Sequence, residues 1–343
     1  MNIKAFRSTI SNKSYTLPIA ILYVTEGCNL QCIMCSYRDP RPDELSLSEI
    51  QSLASSLHHY GLRHIVFSGG EPLLRKDFPQ ISNAFSSLGI KQTLLTNGLL
   101  LNKRYHEVKD AFSELIISID GPDATTHNSI RGIDAFSQIV KGIESVLTSS
   151  PKQDISIRTV LQKKNYYRLP DMIRFAKSVG VSRISFLAAD VLSESFGRYD
   201  HELVKNKEDI ILNEADIASF RKIIDETSQH FKSEFDSKFI SESPDKLHKL
   251  ASYYEALLGN NEFPTVLCNA PNISMVIQSN GEIMPCFFLP EFGNIRSGTP
   301  EKLLNSTSIQ ETRTQVQQCK LERCKTCVCS LYISPKQALM NRF

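Results

Sequence analysis

Between residues 18 and 187, short apolar, β-rich runs alternate with stretches whose apolar positions recur three and four apart. The first kind of pattern predicts strands at Ile19–Val24, His64–Phe67, Gln92–Leu95, Leu115–Ile119, Ile155–Val160 and Ile184–Leu187. The second predicts helices at Leu47–Leu57, Phe78–Leu88, Leu101–Val108, Phe136–Leu147 and Leu169–Val179. Ser48 with Gln51, ahead of Leu53 and Leu57, reads as the capped start of the first helix. Strict strand–helix alternation specifies an α/β fold with a parallel sheet and helices outside it. Right-handed crossovers curl six such units into a partial or complete barrel.

The pattern changes after residue 200. The charge-rich run 200–216 reads as a solvated connection. Helical spacing returns in Ile217-Phe220-Ile223-Ile224 and in Leu247-Leu250-Tyr254-Leu257. A hairpin is then predicted from Ser274–Gln278 through Asn280-Gly281 into Glu282–Met284, because both turn positions tolerate positive φ. The sequence thus divides into a barrel over 18–200, a helical bridge over 201–262 and a small cysteine-rich extension over 263–343.

Length, charge and cysteines narrow the function. At 343 residues the chain has room for about two domains on the usual ~150 residues each. With 39 basic and 37 acidic residues the formal charge is +2, so no general field exists for nucleic acid or an anionic membrane. No run approaches the ~18 apolar residues of a membrane span, and Met1–Arg7 lacks the apolar core of a secretion signal. A cytoplasmic location is expected, where thiols stay reduced and free for metal. The nine cysteines are clustered at 28, 32 and 35, at 268 and 286, and at 319, 324, 327 and 329. Two separated metal-binding regions follow from that distribution. His58, His59 and His64 read as cap and surface, and the Tyr166-Tyr167 and Tyr253-Tyr254 pairs as packing residues.

Cys28, Cys32 and Cys35 form C-x3-C-x2-C directly after the first strand, on the face where barrel active sites open. Three thiolates on one loop can hold three corners of a four-iron cluster and leave one iron open. Zinc is the competing occupant, but the loop lacks the fourth ligand of a closed zinc site. The loop resembles the signature of the radical S-adenosylmethionine (radical SAM) superfamily. Ser68-Gly69-Gly70-Glu71-Pro72 after the second strand resembles that family's GGEP motif. Leu94-Leu95-Thr96-Asn97-Gly98 and Ser118-Ile119-Asp120-Gly121 end the third and fourth strands in the same order.

The resemblance covers roughly residues 18–190 and implies a partial (β/α)6 TIM-like barrel holding a 4Fe–4S cluster on Cys28, Cys32 and Cys35. It further implies that SAM lies against Gly69, Gly70, Glu71, Thr96, Asn97, Ser118 and Arg158, with Arg158 suited to the methionine carboxylate. Met34 stands where the family more often has an aromatic; being soft and apolar it can still pack beside adenine. SAM would chelate the open iron, and one electron would release methionine and a 5′-deoxyadenosyl radical that abstracts hydrogen. An electron donor of flavodoxin or ferredoxin type is implied.

Cys268 and Cys286 fall in C-x12-G-x4-C, and the hairpin brings them together; Cys324-Lys-Thr-Cys327 adds a second pair. These resemble the SPASM and twitch extensions, which hold auxiliary iron–sulfur clusters. The six tail cysteines match neither the seven of SPASM nor the four of twitch. One auxiliary cluster, of the four-iron type that the resemblance implies, would use Cys268, Cys286, Cys324 and Cys327; a second cluster, and roles for Cys319 and Cys329, stay open. A zinc ribbon is the competing reading. The extension is expected to draw much of its folding free energy from ligation.

Three functions fit: an oxidoreductase dehydrogenating or rearranging a sugar, aminocyclitol or related small molecule; an enzyme modifying a ribosomal precursor peptide by thioether, epimer or carbon crosslink; or one maturing a tetrapyrrole or other cofactor. The first strand starts near residue 18, so no leader-binding domain is expected ahead of the barrel, which favours the small molecule. A bare electron carrier would not need Gly69-Gly70-Glu71-Pro72.

Overall fold

The computed structural model describes residues 2–198, 207–329 and 331–340; the part of the 200–216 run before residue 207 lies outside them. Nine strands form one sheet: β1 (Ile19–Thr25), β2 (His64–Gly69), β3 (Lys91–Thr96), β4 (Glu114–Ser118), β5 (Ile155–Leu161), β6 (Arg183–Ala188), β7 (Ser274–Ile277), β8 (Glu282–Met284) and β9 (Gly293–Asn294). Their order is β6-β5-β4-β3-β2-β1-β7-β8-β9, with β1 to β6 parallel throughout. The sheet does not close, so the barrel is partial. The edge at β6 is covered where Ser241 N–H and Ile184 N–H bond to Ile184 and Phe239 carbonyls, satisfying groups an open edge would expose.

All seven positions of β1 are buried, as expected of a strand with parallel neighbours on both sides. Its second neighbour is β7, in register from Ile19↔Ser274 to Leu22↔Ile277. The predicted hairpin therefore exists, with Gly281 at φ +86°, but it continues the barrel sheet. Met275, Ile277 and Ile283 belong to the main core, while Val276 packs with Ile19, Ile21 and Tyr23. Apolar burial ties the start of the tail to the barrel sheet.

Three local expectations need correction. The helix Leu47–His59 is capped by Ser46, not Ser48: Ser46 Oγ accepts from Glu49 N–H and Glu49 returns a bond to Ser46 N–H. The stretch predicted as one helix at 101–108 is a four-residue turn of helix, Leu101–Arg104, followed by a 3-10 turn, Tyr105–Glu107. A helix at Ala124–Arg131 has no counterpart in the apolar pattern; Asp123 caps its start and Gly132, at φ +79°, ends it. His64 is half-buried and bonds Thr93 Oγ1 at 2.8 Å, with burial pushing its pKa down to about 4. In the bridge, the helices Glu214–His230 and Pro244–Leu257 pack on each other and against the barrel. Among the described residues no helix is long and apolar enough to cross a membrane.

Candidate functional site

The C-terminal edge of the parallel sheet carries the first site. Cys28 to Cys35 follow β1 on a loop that folds back on itself, with Cys28 N–H donating to Arg38 O (2.9 Å) and Cys35 N–H to Cys32 O (3.2 Å). The segment after β2 is zipped onto this loop: Gly70 N–H donates to Thr25 O and Glu71 N–H to Gly27 O, each at 2.8 Å. The zipper needs glycine. A Cβ on Gly69, which sits at φ +118°, would lie 2.2 Å from Thr25 O, and one on Gly70 would lie 2.1 Å from Gly27 O. The close approach these glycines permit is thus to the cysteine loop's own backbone.

Glu71 is fully buried and faces inward. It accepts from Thr96 Oγ1 (2.9 and 3.0 Å), Asn97 N–H (2.8 Å) and Leu73 N–H (3.0 Å). Burial pushes its carboxyl up to about 7 against the pull of those donors. Glu71 and Thr96 so brace the ends of β2 and β3 together. Asn97 extends the brace to the loop, with Nδ2 2.8 Å from Asn29 Oδ1 and 3.9 Å from Cys28 Sγ. Ser118 and Arg158 are register partners on β4 and β5, and Arg158 Nε lies 3.3 Å from Ser185 Oγ on β6. All seven residues expected around SAM therefore fall on one edge, although Glu71 and Thr96 have their polar atoms engaged within the protein.

Arg131 escaped the sequence reading, and Asp120 entered it only as part of Ser118-Ile119-Asp120-Gly121, without a role. Arg131, at the end of the helix Ala124–Arg131, places Nη1 3.7 Å from Cys32 Sγ and Nε 2.7 Å from Asp120 Oδ2. Burial works against the Arg131 charge, and Asp120 and Cys32 more than restore it. For Arg131 the sequence signal was the cap pair Asp123 and Gly132 around an otherwise unpatterned helix.

The second site is a cavity of about 680 Å3 whose lining includes Cys268, Cys286, Cys319, Cys324, Cys327 and Cys329. Backbone N–H groups already point at three of the sulfurs: Ala270 to Cys268 (3.5 Å), Phe288 to Cys286 (3.5 Å) and Cys329 to Cys327 (3.3 Å). Burial pushes the Cys286 and Cys327 thiols up to about 12, and Cys35 at the first site up to about 11. Thiols so placed ionise only with a cation to replace the lost water, which is the chemistry of metal ligation. For Cys329, burial raises the thiol pKa and the Arg158 charge works against that rise. Among the described residues no three His, Cys, Asp or Glu side chains converge on a point that would hold a single metal ion.

The loop after β6 touches both sites. Buried Asp190 pairs with Arg198 and with Arg323, the latter at 2.6 Å, and Arg323 also lies over the Phe288 ring at 4.8 Å. Burial opposes the Asp190 charge, but Arg323, Ser193 and Arg198 outweigh it and hold the carboxyl below its usual range. Farther along, Phe196 O accepts from Ser36 N–H (2.9 Å) and from Cys35 Sγ (3.6 Å), and Ser195 Oγ bonds Phe287 O. Asp190→Asn should therefore raise amide hydrogen exchange both in 190–198 and in 322–328, because a buried guanidinium loses its anion. A rise confined to 190–198 would show that other contacts hold Arg323.

The radical SAM superfamily matches residues 22–176, and an iron–sulfur cluster-binding domain, SPASM, matches residues 268–328. A probable GTP 3′,8-cyclase of Sulfurisphaera tokodaii is 28% identical over 214 residues, 61% of this chain and 66% of that protein. An AdoMet-dependent heme synthase of Nitratidesulfovibrio vulgaris is 25% identical over 327 residues, 90% of this chain and 84% of that protein. Against several other cyclases and heme synthases the match spans only about half of the relative's length. In fold, the chain is similar to Streptococcus suis SuiB bound to the precursor peptide SuiA (TM-score 0.65, 18% identity, 94% of this chain and 73% of that one). It is likewise similar to anSMEcpe with bound AdoMet and the Cp18Cys peptide (TM-score 0.63, 22% identity, 92% and 89%).

Proposed function

We propose that this chain, which belongs to the radical SAM superfamily and carries a C-terminal SPASM domain, is an oxidoreductase that uses SAM to modify a ribosomally made peptide. Membership brings SAM, a 4Fe–4S cluster and auxiliary iron–sulfur clusters, and the donor sets present fit them: three thiols on one loop, six around one cavity, and N–H or guanidinium donors aimed at sulfur. The observation that carries the reading is the zipper of Gly69, Gly70 and Glu71 onto the three-cysteine loop at the open edge of the sheet. A cluster held by Cys28, Cys32 and Cys35 would supply the electron for reductive cleavage of the sulfonium carbon–sulfur bond of SAM, giving methionine and a 5′-deoxyadenosyl radical for hydrogen abstraction.

The chain's own residues bind and orient. Cys28, Cys32 and Cys35 hold the SAM-cleaving cluster; Cys268, Cys286, Cys324 and Cys327 hold an auxiliary one. Arg158 and Ser118 offer a cation and a hydroxyl to the methionine carboxylate, while the Gly69-Gly70 backbone, zipped onto the cysteine loop, forms the edge against which the methionine amino group would lie. Glu71 and Thr96 keep that edge rigid. A flavodoxin- or ferredoxin-type donor would supply the electron for SAM cleavage, and the cluster held by the tail cysteines would serve as acceptor for the electron left after hydrogen abstraction. The protein works in the cytoplasm, where its thiols stay reduced.

The peptide substrate is favoured by the architecture shared with SuiB and anSMEcpe over more than nine tenths of the chain. Tetrapyrrole maturation is the second reading, favoured by the 327-residue likeness to heme synthase. Both have more support than the sugar or aminocyclitol substrate expected from the sequence. Co-expression with the short open reading frames beside its gene, followed by mass spectrometry, should show a SAM-dependent mass change in one peptide. A change confined to the tetrapyrrole pool would put the second reading first, and no change in either, with SAM cleavage intact, would restore the small molecule.

A further inference from the structure

The helix Ala124–Arg131 ends directly against the cysteine loop, and everything at its last turn is directed at Cys32. The Arg131 and Ile130 carbonyls accept from Gln31 N–H and Ile33 N–H, both at 3.0 Å, so the residues on either side of Cys32 are pinned. Gly132 turns the chain away at φ +79°, where a Cβ would lie 2.1 Å from Gln31 O. The Arg131 side chain, 11% exposed, then reaches Cys32 Sγ at 3.7 Å. Its other edge is fixed by Asp120, 0% exposed, at 2.7 Å. Asp120 is itself held, since its Oδ1 accepts from Val160 N–H at 2.8 Å.

Such an arrangement is more than packing. A buried ion pair contributes little net stability against a well-packed apolar alternative, so its presence beside a ligand sulfur calls for another use. Guanidinium keeps its charge at any working pH and donates in a fixed plane. Hydrogen bonds to cysteinyl sulfur and nearby charge are two levers on the potential of an iron–sulfur cluster. Cys28 meets the neutral Asn97 amide at 3.9 Å and the Leu30 backbone N–H, while Cys35 is itself a donor to Phe196 O and feels the Arg38 charge without a hydrogen bond from it. Among the described contacts, Cys32 is thus the ligand position whose sulfur a guanidinium meets directly.

We propose that Arg131, poised by Asp120, is a positioning residue for Cys32 that raises the reduction potential of the cluster held on this loop. The inference rests on the SAM-cleaving reading given above. The added electron increases negative charge on the cluster and its thiolates, and a guanidinium against one sulfur stabilises that reduced state. Asp120 sets how much of the charge the sulfur feels.

The two partners therefore act with opposite signs. In anaerobically reconstituted protein, the SAM-responsive EPR signal is followed through a redox titration with dithionite as reductant. Arg131→Gln should lower the midpoint by about 59 mV, a tenfold fall in the reduced-to-oxidised ratio at fixed potential for one electron. Asp120→Asn should raise it, and Arg131→Lys should stay near wild type. Iron-replete Arg131→Gln with an unchanged midpoint would overturn the proposal. If Arg131→Gln fails to retain iron, Asp120→Asn decides: a midpoint equal to or below wild type overturns the proposal, whereas a rise supports it. A purely structural pair would move both variants the same way or neither. Absence of any SAM-responsive signal from wild-type protein with full iron would instead remove the SAM-cleaving reading.

Discussion

Replacing Cys28, Cys32 and Cys35 together by alanine should abolish 5′-deoxyadenosine formation while the protein keeps the iron bound by its tail. The reason is spatial separation of the ligand sets. The three cysteines lie on the loop after β1, at the edge built by Gly69, Gly70, Glu71 and Asn97. The tail cysteines line their own cavity beyond β7 and draw their N–H donors from Ala270, Phe288 and Cys329. Losing three thiolates removes every ligand the loop offers, so the expected fall is to the background of the apo protein. Iron analysis and Mössbauer spectroscopy of this variant also report the tail directly. Stoichiometric zinc with no iron would make the tail a structural ribbon, and undiminished 5′-deoxyadenosine would move the SAM site elsewhere.

The second large effect is expected from Gly70→Val. A Cβ there would lie 2.1 Å from Gly27 O and 2.6 Å from Glu26 O, and both obstacles are backbone. Neither can swing aside as a flexible side chain can, so the cysteine loop itself must shift. Overpacking of this kind commonly costs about 1–3 kcal/mol, and here the displaced atoms precede Cys28 by one and two residues. The variant should lose most of its N-terminal iron and its measurable SAM affinity, while the helical bridge and the tail keep their structure. Calorimetry with SAM on reconstituted protein checks this. Wild-type affinity with full iron would mean that the glycines form only a tight turn.

Particular residues show what the sequence carried. The run Ile19–Val24 is apolar without interruption, and such a run is satisfied between two covered faces; it forms an interior strand, flanked by β2 and β7. The cysteine spacing and Gly69-Gly70-Glu71 were legible because they lie within a few residues of strand ends, where the chain's local pattern fixes them. Ser46 was passed over for Ser48 because two serines flank the helix start and only the reciprocal bond with Glu49 separates them. The helix Ala124–Arg131 was illegible to periodicity since it buries mainly Thr126, His127, Ile130 and Arg131, a set without an apolar stripe. Arg131 meets Cys32 across 99 positions of sequence, and β7 meets β1 across some 250, so neither contact leaves a local mark. Residues whose roles depend on such distant partners, Asp190 and Arg323 among them, emerge only from the fold.

The central claim is that the edge carrying Cys28, Cys32 and Cys35 binds SAM on a reducible cluster and cleaves it. Anaerobically reconstituted wild-type protein, reduced with dithionite and mixed with SAM, tests it most directly, with EPR recorded before and after mixing and products quantified. A SAM-induced change in the signal of the reduced cluster, followed by 5′-deoxyadenosine and methionine in equal amounts, is the predicted result. An unperturbed signal and no 5′-deoxyadenosine from protein with its N-terminal iron in place would contradict it.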